Sequence, residues 1–269
     1  MELREYLFSD IRNSKWDFRI ISKQEGIFSG VNKLKELADK LQVEIVNILS
    51  EGEEIQSGDC VFSGTGNAEQ IIQAEEMFLG AIGKTSGVAT AAHKFKEKAG
   101  KGINIVCGGW KKIPGEVRKD IRQSIASGGI GIRITNKPFI YLDKNYVRLL
   151  GSVKEAVEKA RKYDDTRIVV VQLRGEIEPI TYEAVQAVNA GSGILMVDTG
   201  NISDLKSVVN LLKEHGWYKN VKIAYAGGVA FKDIQVIKSF GAHIVDVGRA
   251  IIDAPMLDFS LDVVKNIKG

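Results

Sequence analysis

The second half of the chain alternates short apolar runs with stretches of helical spacing, and this rhythm restricts the fold more than any other feature. The apolar runs are INIVCGG (103–109), GGIGIRIT (128–135), RIVVVQL (167–173), GILMVDT (193–199), VKIAYAGG (221–228) and HIVDVGR (243–249). Helical spacing recurs between them, for example over 152–162, 204–216 and 230–241. Apolar strands that alternate with helices form a parallel sheet covered by helices. The six runs therefore predict an incomplete α/β barrel or an open doubly wound sheet.

The first hundred residues follow a different pattern. Short strand-like pieces within 19–30 and 44–66 are separated by Glu-Gly and Ser-Gly turns, and a helical stretch covers 31–42. Two further helices are expected over 67–84, with Asn67 as the N-cap, and over 86–100. We therefore expect an N-terminal α+β domain over residues 1–102 and the barrel over 103–269.

Charge and cysteine usage exclude several classes of protein. The 269 residues carry 37 Lys and Arg against 34 Asp and Glu, a formal net charge of +3. So small an excess argues against nucleic acid or a membrane surface as partner and suits an enzyme with anionic ligands. No apolar stretch approaches the roughly 18 residues that span a membrane. Cys60 and Cys107 lie in no disulfide or metal spacing, which predicts a cytoplasmic protein.

Asp198 ends an otherwise apolar strand at VDTG (197–200). The carboxyl ends of barrel strands face the active site, so this carboxylate is a candidate ligand for a metal or a ribose. The alternative is a cap on the following helix, a role that Ser203 and Asp204 are also placed to fill.

Glycines end the last two predicted strands. Gly227, Gly228 and Gly248 would let backbone N–H groups approach a phosphate closely, and barrels often bind phosphate at their last two loops. Arg249 would add a cation at this place. The alternative is that these glycines serve tight turns and nothing more.

Three cations lie near the ends of predicted strands. Lys111 and Lys112 follow Trp110 directly after the run 103–109 and are candidates for an anion site. Arg133 alternates with isoleucines at the end of another run, where it either clamps an anion or pairs with a buried acid.

Motifs along nearly the whole chain resemble one enzyme family. In order they are SKQEGIFSG (22–30), EGEEIQSGDCVFSGTGNAEQIIQAEE (51–76), TSGVAT (85–90), SGGIGIR (127–133), MVDTG (196–200), AGGV (226–229), DVGRA (246–250) and LDFSLDVV (257–264). Their order and spacing resemble those of the quinolinate phosphoribosyltransferase family. The resemblance implies an α/β sandwich domain, an incomplete barrel of about six strands, and a homodimer or higher homo-oligomer.

The resemblance also implies a reaction and a set of site residues. The family transfers a phosphoribosyl group from phosphoribosyl pyrophosphate (PRPP), with Mg²⁺, to the ring nitrogen of a pyridine carboxylate. By resemblance, Lys111 binds anionic groups, Arg133 grips a carboxylate, and Asp198 holds Mg²⁺ and ribose. By the same resemblance, the loops of Gly227, Gly228 and Gly248 bind the 5′-phosphate. Trp110 is placed to stack on the acceptor ring.

Several positions depart from the family pattern at the acceptor end. Glu76 replaces an arginine, Ile132 a histidine, Asp143 and Lys144 a lysine and an acid in the opposite order, and Gln172 and Ala224 two glutamates. An acid in place of an arginine repels an acceptor carboxylate at a desolvated site. We expect Glu76, Lys144 and Gln172 to face the acceptor, with Lys112, Lys144 or Arg174 replacing lost cations.

Together these features predict a pentosyltransferase that makes a pyridine mononucleotide and pyrophosphate from PRPP and quinolinate or nicotinate. Two alternatives are a homologue that acts on another N-heteroaromatic acceptor and a non-catalytic protein that binds a phosphorylated ligand.

Overall fold

A computed structural model describes residues 3–267 as a mixed α/β protein. Its strands are β1 (Lys15–Ser22), β2 (Gly26–Ile27), β3 (Glu44–Ile48), β4 (Glu54–Ile55), β5 (Cys60–Gly66), β6 (Asn104–Val106), β7 (Phe139–Leu142), β8 (Ile168–Leu173), β9 (Ile194–Val197), β10 (Lys222–Tyr225), β11 (Ile244–Asp246) and β12 (Phe259–Ile267). Its helices are α1 (Leu3–Leu7), α2 (Val31–Leu41), α3 (Ala68–Ala99), α4 (Gly115–Ser127), α5 (Lys144–Leu150), α6 (Val153–Tyr163), α7 (Ile180–Asn189), α8 (Ile202–Glu214), α9 (Ile234–Phe240) and α10 (Arg249–Ile252).

The chain divides into two compact units that interleave along the sequence. The first combines the residues up to 94 with 112–129 and those from 251 onward, and the second combines 95–111 with 130–250. The boundary expected after residue 102 stays a prediction. Within residues 3–267, no helix is both long and apolar enough to cross a membrane.

The first unit is built on a four-stranded antiparallel sheet in the order β12-β1-β5-β3. Its core joins the inward side chains of the sheet to the apolar faces of α2 and α3. Phe62 from β5 and Phe78 from α3 meet edge to face in this core, with ring centroids 5.4 Å apart. The expected N-terminal sandwich of sheet and helices is confirmed.

A single helix, α3, replaces the two helices expected over 67–84 and 86–100. The glycines that suggested a break instead make room for a neighbouring segment. A Cβ on Gly83 would lie 2.8 Å from Cε of Met256, and one on Gly87 would collide with the carbonyl oxygen of Pro255. Asn67 caps this helix as expected, since its Oδ1 accepts the backbone N–H of Gln70 at 2.9 Å.

The second unit is a six-stranded parallel sheet in the order β6-β11-β10-β9-β8-β7. Strands β6 and β7 lie at the two ends of this order, so the barrel is incomplete and the expected fold class is confirmed. The run 128–135 was wrongly expected to supply one of the six strands. It forms one isolated bridge, between Val106 and Gly131, and otherwise bends. The missing strand is β7, which starts directly after Pro138.

Alternation along the strands gives this sheet an apolar inner face. The residues that cluster there are Val106, Val170, Ile194, Met196, Ala224, Ala226 and Ile244, with Tyr141 among the half-buried side chains packed against them. The strands are parallel, so their carboxyl ends meet at one edge. The next inward positions at that edge carry the polar side chains of the candidate site.

Candidate active site

Asp198 lies at the carboxyl edge of the barrel, one step beyond Met196 on the inner face of β9. Its side chain is 25% exposed. Helix α8, which follows, is capped by Asn201, whose Oδ1 accepts the backbone N–H of Ser203 at 3.0 Å. Asn201 therefore fills the capping role considered for Asp198, and the carboxylate stays at the barrel mouth.

Gln172 on β8 joins the loops that follow the two flanking strands, β7 and β9. It pairs in register with Met196 and is 8% exposed. Its Oε1 accepts the backbone N–H of Lys144 at 2.7 Å, and its Nε2 donates to Oδ2 of Asp198. A nearly buried amide thus has both of its polar ends bonded, which fixes the orientation of the Asp198 carboxylate.

Arg174 is the second donor group at Asp198. Its Nη1 lies 3.6 Å from Oδ2 of Asp198 and donates to the carbonyl oxygen of the same residue. Its Nε lies 3.2 Å from Oε1 of Glu176, and Glu176 also accepts from Arg148 on α5. These two arginines lower the pKa of Glu176. A chain of alternating charges therefore runs from α5 to Asp198.

Glu183 on α7 fixes the loop that carries Arg174. This residue is 4% exposed, and its Oε2 accepts the backbone N–H groups of Arg174 and Gly175, each at 2.9 Å. Burial raises the pKa of Glu183 above its ordinary value, and the two N–H groups oppose that rise. Glu183 was not predicted from the sequence, because a lone glutamate within a helical stretch carries no recognisable motif.

Asp143 caps α5, and its Oδ1 accepts the backbone N–H groups of Asn145 at 2.8 Å and Tyr146 at 3.2 Å. Lys144 follows as the first helical residue and is half-buried. The order Asp-Lys at 143–144 therefore has a local structural reason, since an acid at this position starts the helix.

The loops after β9 and β10 touch backbone to backbone. Gly200 and Gly227 have φ of +73° and +106°, and a Cβ on Gly227 would lie 2.7 Å from Cα of Gly200. The Gly200 N–H points to the carbonyl oxygen of Ala226 at 3.4 Å. Gly228 also has positive φ, +75°, but open space where its Cβ would be. Side chains are thus excluded where Gly200 and Gly227 touch, and the surface there is formed by backbone.

The loop after β11 lies next along the same edge. Asp246 ends β11, and its Oδ1 accepts the backbone N–H of Gly108, after β6, at 2.8 Å. Gly248 has open space at its Cβ position, and Arg249 is exposed. The predicted phosphate glycines after β10 and β11 are therefore on neighbouring strands of one edge.

The short 3₁₀ turn Gly109–Lys112 carries the tryptophan and the lysines. Nε1 of Trp110 donates to the carbonyl oxygen of Ile132 at 2.9 Å, so the indole edge is held in place. Nζ of exposed Lys111 lies 5.6 Å from the ring centroid of Tyr141. Burial raises the pKa of Tyr141, and the negative charges of Asp246, Asp198 and Asp143 raise it further.

Tyr141 therefore lies near the acids of the site. The sequence did not indicate it, because β7 itself was not predicted.

Arg133 is exposed between Gly131 and β7, and forms no hydrogen bond or ion pair within residues 3–267. Ala224 is fully buried on the inner face.

Two predicted residues belong to the first unit. Lys112 is exposed there. The carboxylate Oε1 of Glu76 lies 2.5 Å from Nη2 of Arg4 on α1, so Glu76 has a cationic partner within its own unit. The other predicted site residues lie in the second unit.

Known proteins match the chain over most of its length. The family model "Quinolinate phosphoribosyl transferase, N-terminal domain" matches residues 5–86, and "Quinolinate phosphoribosyl transferase, C-terminal domain" matches residues 88–262. A probable nicotinate-nucleotide pyrophosphorylase (carboxylating) of Archaeoglobus fulgidus is 26% identical over 249 residues, which are 91% of this chain and 93% of that protein. The human nicotinate-nucleotide pyrophosphorylase (carboxylating) is 26% identical over 243 residues, 89% of this chain and 80% of that protein.

The fold has close counterparts among solved structures. The nicotinate-nucleotide pyrophosphorylase of Francisella tularensis superposes with a TM-score of 0.81 at 22% identity, covering 98% of this chain and 90% of that one. The two family models together account for nearly all of residues 5–262, including both units and the whole carboxyl edge of the barrel. The chain belongs to the quinolinate phosphoribosyl transferase family.

Proposed function

We propose that the protein transfers the phosphoribosyl group of PRPP to the ring nitrogen of a pyridine carboxylate, giving a pyridine mononucleotide and pyrophosphate. The single observation that carries this is the barrel edge where the inward Asp198 carboxylate stands beside the backbone contact between Gly200 and Gly227. Relatives named for nicotinate-nucleotide pyrophosphorylase activity support it.

The negative charge of Asp198 can stabilise the positive charge that develops on the ribose during the transfer. Loss of pyrophosphate from C1 of the ribose gives the sugar ring oxocarbenium character. A fixed carboxylate beside that ring stabilises the positive charge and accepts hydrogen bonds from ribose hydroxyls. Gln172 and Arg174 hold the carboxylate in a single orientation, so little reorganisation is needed when the charge forms.

The 5′-phosphate is assigned to the loops after β10 and β11. Gly227 and Gly228 have positive φ and no side chains, which suits a loop whose backbone N–H groups bind an anion. Gly248 and exposed Arg249 would complete the phosphate contacts on the neighbouring loop.

Cations after β6 and β7, the two outer strands of the sheet, and Arg133 are assigned to the pyrophosphate and to the acceptor carboxylate. Lys111 is exposed above Tyr141, Lys144 begins α5, and Arg133 is exposed without an ion-pair partner within residues 3–267. A guanidinium binds a carboxylate with two parallel hydrogen bonds, so Arg133 is the residue assigned to the acceptor. The fixed indole of Trp110 is assigned to stacking on the acceptor ring.

The residues present do not fit the predicted Mg²⁺ at Asp198. Magnesium requires oxygen lone pairs in octahedral geometry, usually from one or two carboxylates with substrate phosphates. Oδ2 of Asp198 instead accepts the Gln172 amide and faces the Arg174 guanidinium.

A homo-oligomer and a cytoplasmic location complete the proposal. Val46 on β3 and Val263 and Val264 on β12 are exposed on the two outer strands of the first unit's sheet, and apolar side chains on such edge strands suit a covering partner such as a second copy. Cys60 and Cys107 are free thiols, as is usual in a reducing compartment.

The reaction is tested by measuring pyrophosphate release from PRPP with quinolinate, nicotinate, nicotinamide and uncharged N-heterocycles, with and without Mg²⁺. Release with quinolinate or nicotinate, and a product of mononucleotide mass, is the expected result. Release with an uncharged heterocycle alone would replace the acceptor class. Binding of PRPP without release for any acceptor would favour a binding protein, and absence of PRPP binding would contradict the proposal as a whole.

A further inference from the structure

We infer that Arg174 is the resident cation of this site, a positioning residue that occupies the space at Asp198 which a divalent metal would need. The inference goes beyond the proposed reaction, because it concerns what the carboxylate binds before any substrate is present.

The first support is the set of groups around Asp198. Oδ2 accepts the Gln172 amide, and Nη1 of Arg174 lies 3.6 Å from the same oxygen. An N–H group directed at a lone pair removes that lone pair from metal coordination. A guanidinium beside it also repels a divalent cation, more strongly in this part-buried site than in bulk water.

The second support is that Arg174 cannot easily swing away. Its guanidinium also donates to the Asp198 carbonyl oxygen and lies 3.2 Å from Glu176. The backbone N–H of Arg174 is held at 2.9 Å by the Glu183 carboxylate, which is 4% exposed. Glu176 is itself held by Arg148 on α5. The arginine is therefore fixed at both its backbone and its side chain.

The third support is the charge balance. A glutamine at position 172 adds no negative charge, so Arg174 meets the carboxylate of Asp198 on one side and that of Glu176 on the other. A part-buried carboxylate that is already paired with a guanidinium attracts a divalent cation less strongly than an unpaired carboxylate does. Removing the guanidinium should therefore uncover a metal-binding carboxylate.

The test measures Mn²⁺ binding to the full-length protein by electron paramagnetic resonance, without PRPP or acceptor. Mn²⁺ shares the oxygen preference of Mg²⁺ and gives a signal that falls when it binds. Wild type and Asp198→Asn should bind Mn²⁺ equally weakly, within twofold. Arg174→Gln should bind at least tenfold more tightly, and adding Asp198→Asn to it should abolish the gain.

The matched control is Arg167→Gln, which removes a guanidinium from the same unit at the opposite end of β8, where it pairs with Asp164 at 2.7 Å. This variant should bind Mn²⁺ as wild type does. Arg174→Lys keeps the positive charge and should gain no more than twofold.

Two results would overturn the inference. One is Mn²⁺ binding to wild type that Asp198→Asn abolishes, a comparison that stands even if Arg174→Gln fails to fold. The other is a folded Arg174→Gln, with a cooperative thermal transition, that binds Mn²⁺ no better than wild type. Because no substrate is present, failure here leaves the proposed reaction untouched, and failure of the reaction leaves this result untouched.

Discussion

Gly200 and Gly227 exclude side chains from each other: a Cβ on Gly227 would lie 2.7 Å from Cα of Gly200, and one on Gly200 would lie 2.7 Å from the carbonyl oxygen of Gly227. Both also have positive φ. The contact holds the loop after β9, which carries Asp198, against the first of the proposed phosphate loops. The contact between Gly200 and Gly227 therefore contributes both to the stability of the fold and to the position of Asp198 in the site.

Substitution of three glycines by alanine should give a graded loss of stability. Gly227→Ala combines positive φ with a backbone collision and should lower the free energy of unfolding most, by more than about 3 kcal/mol. Gly228→Ala has positive φ in open space and should cost about 1–2 kcal/mol. Gly248→Ala has neither penalty and should change stability by less than about 0.5 kcal/mol. Urea denaturation measures all three, and equal losses for Gly227→Ala and Gly248→Ala would contradict this explanation.

Lys111→Ala should weaken PRPP binding roughly tenfold to a hundredfold, because a charge-assisted hydrogen bond is worth about 1.5–3 kcal/mol. The exposed side chain contributes little to folding, so the melting temperature should hardly move. Isothermal titration calorimetry gives the affinity. Lys101→Ala is the control, since Lys101 is exposed just before β6, at the opposite end of that strand. Unchanged PRPP affinity in Lys111→Ala would remove this lysine from the site.

Asp198→Asn should lower kcat at least about tenfold while changing the KM for PRPP less, because the charge is needed most in the transition state. Steady-state kinetics of pyrophosphate release separate the two constants. Asp165→Asn removes an exposed carboxylate ahead of β8 and should leave both constants unchanged. Equal kinetics for Asp198→Asn and wild type would exclude a role for the Asp198 charge in the reaction.

Cys107 should resist alkylation at pH 8 in the folded protein. Burial raises the pKa of its thiol to about 12, and the charge of Asp246 also acts to raise it. For an acid, a raised pKa means the neutral form persists to higher pH, so the thiolate fraction at pH 8 is about one in ten thousand. Reactivity should rise only as the pH approaches 12. Peptide mass spectrometry after iodoacetamide measures each cysteine separately.

Half-buried Cys60 provides the internal comparison for that experiment, and both cysteines should react alike in denaturant. Modification of native Cys107 as fast as Cys60 at pH 8 would mean that the loop after β6 opens readily.

Local patterns in the sequence were enough to predict a parallel sheet covered by helices, because its strands are buried on both faces and appear as continuous apolar runs. They left open whether that sheet is an incomplete barrel or doubly wound. They were not enough to distinguish 128–135 from β7. Alternating isoleucines in the first imitate a strand, but Gly131 makes just one bridge there. Strand β7 has only four residues and directly follows Pro138, so its sequence resembles that of a loop.

The sequence predicted the site residue that directly follows strand β9, because side chains along a strand alternate between the two faces of the sheet. Asp198 follows Ile194 and Met196 on the inner face, so its inward direction follows from the sequence. The contacts of Arg174 with Asp198 and of Glu183 with Arg174 depend on loop conformations and on helix packing. Neither leaves a local signal, which is why the sequence indicated a metal or ribose ligand at Asp198 but not the arginine beside that carboxylate.

Strand β12 forms an edge of the first unit's sheet by pairing with β1, and Ser22 lies opposite Phe259 in that pair. A ribosome delivers β1 and β5 long before it delivers β12. Throughout that interval the nascent sheet has an unpaired edge on β1, and such edges recruit chaperones or other unfinished chains. The yield of folded protein should therefore depend on how quickly translation reaches the LDFSLDVV segment.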